Sequence, residues 1–567
     1  RCKIFSALQP NNKAFADTIR SHRTLKGAQN EIIGFGSVGC IAIYTLLYYH
    51  YRHRDQSISQ AGEKEKKMKI NDFPDHIRSF LIPSPSGDMV YRCLKCETEH
   101  ESGKLLYTCP RCGGVLMLYN KNTEIIKSIE GNTWRKIFDY RRMLNVTALK
   151  GIFRYYEFIA PIIPLDKIIY LGEAHTPMIA ANPRLTDMMG IRFYFKNDGL
   201  NPSASFKDRG MACALSYINY MAAGKDMDRI LAICASTGDT SASAALYAAY
   251  LENSVASAVL LPKGKVTPQQ LSQPLGSGAV VIQIPGVFDD CMKVVEELAE
   301  TYHVALLNSK NSWRILGQES FSYELCQDFD YEVGDKAILV PIGNAGNITA
   351  IMSGFIKFYG AGLIDELPKI VGVQSSHADP VFRYYSDDNP ERVFKPVSVK
   401  PSVAQAAMIG NPVSMPRVVK LAEEYNRLAG KRRVFVVQVT EQEIMDSMIT
   451  ANRNGNIVCT QGGESMAGLE AACSRGIIDA KDTAVLDSTA HALKFATFQD
   501  MYFSDRFDPA FEVKPDITLK NEPVDIVPAG LKAYPTPDSP LDGELLREFV
   551  KATADKVAGL LKLTPKL

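Results

Sequence analysis

Twice in this chain a short apolar run ends in a loop of small polar residues and then opens into a helix pattern. Ile230 to Ala235 leads into Ser236-Thr237-Gly238-Asp239-Thr240-Ser241 and the small-residue helix Ala242 to Leu251. Ala337 to Ile342 leads into Gly343-Asn344-Ala345-Gly346-Asn347, with a helix pattern from Ile348. Few folds accept that order of parts. A strand that returns through a helix to a parallel neighbour needs a sheet covered by helices. Further strand-like runs at 256–262, 279–284, 304–307, 369–374, 433–439 and 483–486 continue the alternation. The expected class is therefore α/β. Sites in such sheets lie at the carboxyl ends of strands, and a loop entering a helix start aims free backbone N–H groups at an anion. Either loop alone is equally an ordinary turn. Two of them, joined to an activated lysine, suggest a phosphorylated cofactor and a phosphorylated or carboxylate substrate.

The lysine is Lys207. Asn201-Pro202-Ser203-Ala204-Ser205-Phe206-Lys207-Asp208-Arg209-Gly210 sets it between a Ser-rich turn and the apolar run Met211 to Met221. A lone lysine is usually a surface residue. At a helix start the macrodipole disfavours positive charge, and Arg209 stands two residues on. Both should lower the pKa of Lys207, which is what an imine-forming amine needs.

A length of 567 residues implies more than one domain. Hydrophobic content of 46% and charged content of 22% are those of an ordinary soluble protein. A net charge of +1 offers no electrostatic footprint for nucleic acid, so no nucleic-acid partner is expected. Residues 1–67 differ from the rest, with eleven Lys/Arg against five Asp/Glu, which leaves −5 on 68–567. Ile32 to Tyr51 is twenty residues without a charge, long enough to span a membrane. Its Gly, Ser and Thr content weakens that signal, and no membrane partner is expected. Gly34-Phe35-Gly36-Ser37-Val38-Gly39 fits the dinucleotide fingerprint but lacks a preceding strand and a βαβ setting. The expected native start is Met68, after a charged stretch, with 1–67 as an extension.

Eight of the twelve cysteines are scattered, several in apolar runs (Cys213, Cys234, Cys291), where cysteine acts as a small buried hydrophobe. That usage fits a reducing compartment, so a cytoplasmic protein is expected. The other four form two knuckles, Cys93-Leu94-Lys95-Cys96 and Cys109-Pro110-Arg111-Cys112, twelve residues apart. Four thiolates at this spacing suit a closed, structural zinc site. Gly113-Gly114 supplies the turn after the second knuckle, and His100 is not needed as a ligand. No dense basic patch with interleaved aromatics surrounds the cluster, so it reads as a folding staple.

Five stretches carry a resemblance: NPSASFKDRG (201–210), ASTGDTSAS (235–243), NSKNSWRILGQ (308–318), PIGNAGN (341–347) and STAHALKF (488–495). In that order they resemble the threonine synthases, of the fold-type II group of pyridoxal-phosphate enzymes, some of which carry a similar N-terminal ribbon. The resemblance implies that Lys207 holds pyridoxal 5'-phosphate as an imine and shuttles the α and β protons. It implies that Gly343, Asn344, Ala345, Gly346 and Asn347 cradle the cofactor phosphate, and that Thr489 faces the pyridine nitrogen. Asp239 falls where the family contacts the cofactor 3-hydroxyl. Asn is common there, and an ionised Asp only accepts. Ser236, Thr237, Thr240, Ser309, Asn311 and Arg314, with Lys265 as a weaker candidate, are expected to bind the substrate's carboxylate or phosphate. Cys459-Thr460-Gln461-Gly462-Gly463-Glu464 departs from the family pattern and has no assigned role.

The implied architecture is two α/β domains with the cofactor in the cleft, behind a small zinc ribbon. The expected division is 88–120 ribbon, 121–210 lead-in and part of the large domain, 211–307 small domain, 308–515 large domain, and 516–567 a tail ending in a helix. The implied reaction is O-phospho-L-homoserine plus water giving L-threonine and phosphate, in a homodimer as is usual for the group. The rivals are another fold-type II lyase, such as cysteate synthase or threonine dehydratase, and a non-catalytic protein that has kept the fold.

Overall fold

Alternation of buried strands and covering helices decides the layout. The structure, a computed structural model, describes residues 68–223, 230–235, 238–251, 255–263, 268–286, 288–302 and 304–566. The expectations for residues 1–67 and for Ser236, Thr237 and Lys265 lie outside the described residues.

In chain order the described strands are β1 (Met89–Cys93), β2 (Glu99–Glu101), β3 (Leu116–Asn120), β4 (Met178–Ala180), β5 (Phe193–Asn197), β6 (Ile230–Ala235), β7 (Val255–Pro262), β8 (Val280–Ile284), β9 (Val304–Leu306), β10 (Lys336–Pro341), β11 (Lys369–Ser375), β12 (Val434–Val439) and β13 (Thr483–Ser488). They make three sheets. β2-β1-β3 is antiparallel and carries the cysteine knuckles. β8-β7-β6-β9 is wholly parallel. The third, β12-β11-β10-β13-β5-β4, is parallel except for the edge pair β4–β5. β10 and β13 are buried along their whole length, and their apolar centres, Ala337 to Val340 and Ala484 to Leu486, follow from being covered on both faces. β4 and β5 belong to no run identified in the sequence. β5 reads Phe-Tyr-Phe-Lys-Asn, too short and too polar at its end to stand out.

Register brings distant loops together. β10 lies beside β13, and β13 beside β5 with Ser488 opposite Asn197. The segments leaving these three neighbours are the loop 343–347, the loop from Thr489, and Asp198 onward toward Lys207. In the smaller sheet β6 lies beside β9 with Ile233 opposite Leu306, so the loop after Ala235 and the segment 308–314 emerge side by side. Asn308 ties them: its Oδ1 accepts from the Ala235 amide at 3.0 Å and its Nδ2 donates to the Ala235 carbonyl at 2.6 Å.

Two glycines let the Lys207 helix (Lys207–Ala223) press against the helix Ser312–Gln318. A Cβ on Gly317 would lie 2.1 Å from the Arg209 carbonyl oxygen, and one on Gly210 would lie 3.0 Å from the Arg314 carbonyl. Backbones this close leave no room for a side chain. Past Ser504 the chain is mostly exposed, and its last helix, Gly543–Leu560, buries none of its residues. Among the described residues no helix is long and apolar enough to cross a membrane.

Candidate active site

The Ser-rich turn before Lys207 is built around a residue in the left-handed region, Ala204 at φ +63°. Asp208, fully buried, holds the turn by accepting from the Ser203 amide at 2.6 Å, and it also accepts from the Ser243 hydroxyl on the helix Asp239–Tyr250. Burial pushes the Asp208 carboxyl up to about 6. On the other side the turn is clamped to the loop after β13. The Phe206 amide donates to the Thr489 carbonyl at 2.8 Å, and the His491 amide to the Ala204 carbonyl at 3.1 Å. Lys207 thus begins its helix within reach of Thr489, half-buried, with its Nζ 3.9 Å from the Phe206 ring centroid.

Burial, then the neighbouring Arg314 charge, pushes the Lys207 ammonium down to about 7; Asp239 and Asp487 pull the other way. The direction agrees with the sequence reading, but the cause does not. Arg209 is not among the leading causes, because its charge is matched elsewhere. It donates to both oxygens of Asp198, at 2.8 and 2.7 Å, and to both oxygens of Glu324, in a fully buried network that Lys196 joins 3.1 Å from Glu324. A guanidinium matched by two carboxylates has little field left for its neighbour.

Arg314 is the opposite case. It is 2% exposed, donates from Nη1 to the Leu307 carbonyl at 2.9 Å, and has no carboxylate partner and no acceptor for Nε among the described residues. Burial lowers it to about 10. A buried cation in that state is arranged to receive an anion. Ser309, half-buried, precedes it. Asn311 is committed to backbone: it caps the helix Ser312–Gln318 by accepting from the Trp313 amide at 2.9 Å and donates to the Leu306 carbonyl at 2.9 Å. Its amide therefore holds the segment rather than facing a ligand. Thr240 is half-buried in the first turn of the helix Asp239–Tyr250.

After β10, Ala345 takes a left-handed conformation (φ +61°) as the helix Gly346–Gly360 begins, which turns successive amides to one side. A Cβ on Gly343 would lie 2.9 Å from the Ala407 Cα, so the loop depends on glycine there. Asn347 donates from Nδ2 to Asp487 at 2.6 Å. Asp487 is fully buried and its other oxygen has no partner among the described residues; burial, then the Asp198 charge, holds its carboxyl well above the usual range.

A cavity of about 620 Å³ lies beside the Lys207 turn, lined by Ala204, Gly238, Asp239, His491 and Lys494 among others. Asp239, 5% exposed, pairs with Lys494 at 2.8 Å. Lys494 also donates to the Ser203 carbonyl at 2.9 Å.

A sequence profile described as "Pyridoxal-phosphate dependent enzyme" matches residues 169–489. The chain is 36% identical over 408 residues to a threonine synthase of Methanocaldococcus jannaschii, covering 72% of this chain and 93% of that protein. It is 32% identical over 411 residues to one of Methanosarcina acetivorans, covering 71% and 91%. Among solved structures it resembles the threonine synthase of Escherichia coli, with a TM-score of 0.54 at 18% identity over 74% of this chain and 92% of that one, a likeness of fold. The chain belongs to the threonine synthase family of pyridoxal-phosphate-dependent enzymes.

The family's cofactor fits the residues present. Pyridoxal phosphate binds through an imine-forming amine and a phosphate group, which call for an amine of lowered pKa and an anion cradle of backbone amides. Here Lys207, the Gly343–Asn347 loop and Thr489 converge from neighbouring strands. Three partners escaped the sequence reading. Lys494 and Asp487 lie in or beside the STAHALKF stretch, so only their pairing with residues 140 or more positions away was hidden. The third is Cys459. It caps the helix Thr460–Ser474 by accepting from the Gly462 amide at 3.4 Å and sits 3.5 Å from the Thr489 hydroxyl. The unassigned Cys459–Glu464 stretch is thereby explained. A Cβ on Gly463 would lie 2.5 Å from the Ile444 carbonyl, and buried Glu464 accepts from the Ser375 amide at 3.0 Å.

The four knuckle cysteines bring their sulfurs within 4.8 Å of one another. Cys93 and Cys112 are 3.5 Å apart, and Cys96 and Cys109 3.6 Å. Thiolates around one tetrahedral zinc stand about 3.8 Å apart. The amides of Lys95 and Cys96 point at the Cys93 sulfur, at 3.4 and 3.5 Å, and a Cβ on Gly114 would strike that sulfur at 2.8 Å. His100 Nε2 lies 3.3 Å from the Cys109 sulfur, outside the set of four.

Proposed function

We propose that this protein converts O-phospho-L-homoserine and water into L-threonine and phosphate. The observation that carries the reading is a lysine of lowered pKa beside a buried, unmatched guanidinium, Arg314, in a family whose compared members are threonine synthases. Bound pyridoxal phosphate supplies the electron sink. The chain supplies position and proton transfer. Lys207 anchors the cofactor and then moves the α and β protons, which an amine with a pKa near 7 does with little bias toward either state. The amides of Gly343 to Asn347 hold the cofactor phosphate at a helix start. Thr489, braced by Cys459, presents a hydroxyl to the ring nitrogen, which leaves that nitrogen uncharged as a carboxylate would not. Asp239 orients the 3-oxygen side, with Lys494 supplying the hydrogen-bond donor that an ionised Asp lacks.

Arg314 and Ser309 receive the substrate's phosphate, together with Thr240, Ser236, Thr237 and Lys265. Asn311 holds this segment in place. Zinc on Cys93, Cys96, Cys109 and Cys112 is structural, since four thiolates leave no open position. Cysteines used as metal ligands and as small buried apolar residues fit a reducing, cytoplasmic setting. The test offers purified protein with pyridoxal phosphate either O-phosphohomoserine, or O-phosphoserine with sulfite, beside a Lys207→Ala control. The reading requires threonine and phosphate from the first, abolished in the control. Turnover of O-phosphoserine with sulfite alone would reassign the chain to cysteate synthesis.

A further inference from the structure

The metal ribbon is built into the segment that carries Arg314. Arg417, fully buried on the helix Met415–Ala429, donates to the Leu116 carbonyl of β3 at 2.7 and 3.1 Å. The same guanidinium donates to the carbonyls of Ser309 at 3.0 Å and Lys310 at 3.1 Å. Ser312 Oγ adds a bond to the Leu116 carbonyl at 3.0 Å. Trp313 Nε1 donates to the Tyr91 hydroxyl of β1 at 2.8 Å, and Tyr107, between the knuckles, accepts from the Leu306 amide at 2.9 Å. Thus residues 306, 309, 310, 312 and 313 are all held by the ribbon or by Arg417.

β1 and β3 are paired, with Cys93 opposite Leu116. The first metal ligand is therefore the cross-strand neighbour of the residue on which Arg417 converges. Arg417 has no carboxylate partner among the described residues. Its donors go to carbonyls and hydroxyls of three separate segments, which fits a clamp better than a charge pair.

We infer that Arg417 is a positioning residue: with Tyr91 of the ribbon it fixes the segment Ser309–Arg314 so that the anion site is preformed, and the ribbon is thereby a working part of substrate recognition. The inference rests on the reading of Ser309 and Arg314 as the phosphate site. A loop tied at five places to buried partners is held rigid before the ligand arrives, and that is where preorganisation improves affinity. The Lys207 turn has no part in the clamp, and the loop 343–347 meets it at one place only among the described residues, where Ser414, whose hydroxyl accepts from Arg417 at 3.0 Å, donates its amide to the Asn344 carbonyl at 3.2 Å.

The test compares wild type with Arg417→Met, Arg417→Lys and Tyr91→Phe, all full-length and loaded with pyridoxal phosphate. Three readouts are taken: KM and kcat for O-phosphohomoserine, binding of inorganic phosphate by calorimetry, and visible absorption of the bound cofactor. The expected result is a KM and a phosphate Kd raised about tenfold in Arg417→Met and about threefold in Tyr91→Phe, roughly what losing one buried hydrogen-bond set costs. Arg417→Lys recovers part of the loss, kcat stays within about twofold, and the cofactor absorption does not change. Unchanged KM and phosphate affinity in folded Tyr91→Phe and Arg417→Met overturns the inference. Parallel loss of cofactor absorption also overturns it, because that marks general destabilisation. If Arg417→Met does not fold, Tyr91→Phe, which removes one hydroxyl, decides. Failure of wild type to turn over O-phosphohomoserine while it binds phosphate counts against the proposed reaction and leaves the clamp readable through the phosphate affinities.

Discussion

Lys207 is set by four charges that the fold brings to it, Arg314, Lys494, Asp239 and Asp487. Burial and Arg314 lower its pKa to about 7, and Lys494 adds to the lowering. A native pKa below the ordinary lysine value means the amine is free of its proton above about pH 7 rather than above pH 10. The rate at which apoprotein takes up pyridoxal phosphate should therefore rise with pH through a midpoint near 7, followed by cofactor absorption. Lys494→Met removes a neighbouring cation and leaves Asp239 without its partner. Both changes favour the ammonium, so the midpoint moves up; no movement, or a downward one, would contradict the account. The position of Lys207 before an apolar helix was legible in sequence because it is local. The source of its pKa was not. Arg209, two residues away, is neutralised by Asp198 and Glu324, whereas Arg314, over a hundred residues on, is not. Asn311 carried a local signal too, an Asn immediately before a helix, and it indicates capping rather than ligand contact.

Strand–loop–helix units explain why the motifs meet. Adjacent parallel strands deliver their carboxyl ends to one edge, so the loops after β10 and β13 and the segment after β5 share a neighbourhood. That much follows from alternation of apolar runs. Helix contacts are less legible, since a glycine in a sequence does not say what it faces. Gly317 faces the Arg209 carbonyl. Gly317→Ala should destabilise the protein by about 2–3 kcal/mol, because a methyl group is forced against backbone. It should also weaken substrate handling by shifting Arg314, checked by thermal unfolding and by KM. A stability within experimental error of wild type would show that the two helices separate freely. Gly463, tight against the Ile444 carbonyl, explains one of two consecutive glycines that no family pattern accounted for.

Across the whole molecule the ribbon and the catalytic body form one hydrogen-bonded structure. The knuckle spacing made the four cysteines legible as a metal site, and their sulfurs converge. What the spacing could not reveal is that Leu116, opposite Cys93, is also the anchor of Arg417. Metal removal should therefore act at a distance. Chelation of the holoenzyme is expected to raise KM for the phosphate ester about tenfold, a size usual for disturbing a metal's supporting contacts, before cofactor absorption falls. Simultaneous loss of both would mean the metal only holds the fold together.

The central claim is the reaction itself, and the fate of water oxygen tests it most directly. Holoenzyme is given O-phosphohomoserine in heavy-oxygen water, and both products are analysed by mass. If phosphate leaves by carbon–oxygen cleavage and water then adds to the β-carbon, the label appears in the threonine hydroxyl and the phosphate carries none. Homoserine as the amino-acid product, with label in the phosphate, would mean simple ester hydrolysis and would contradict the account.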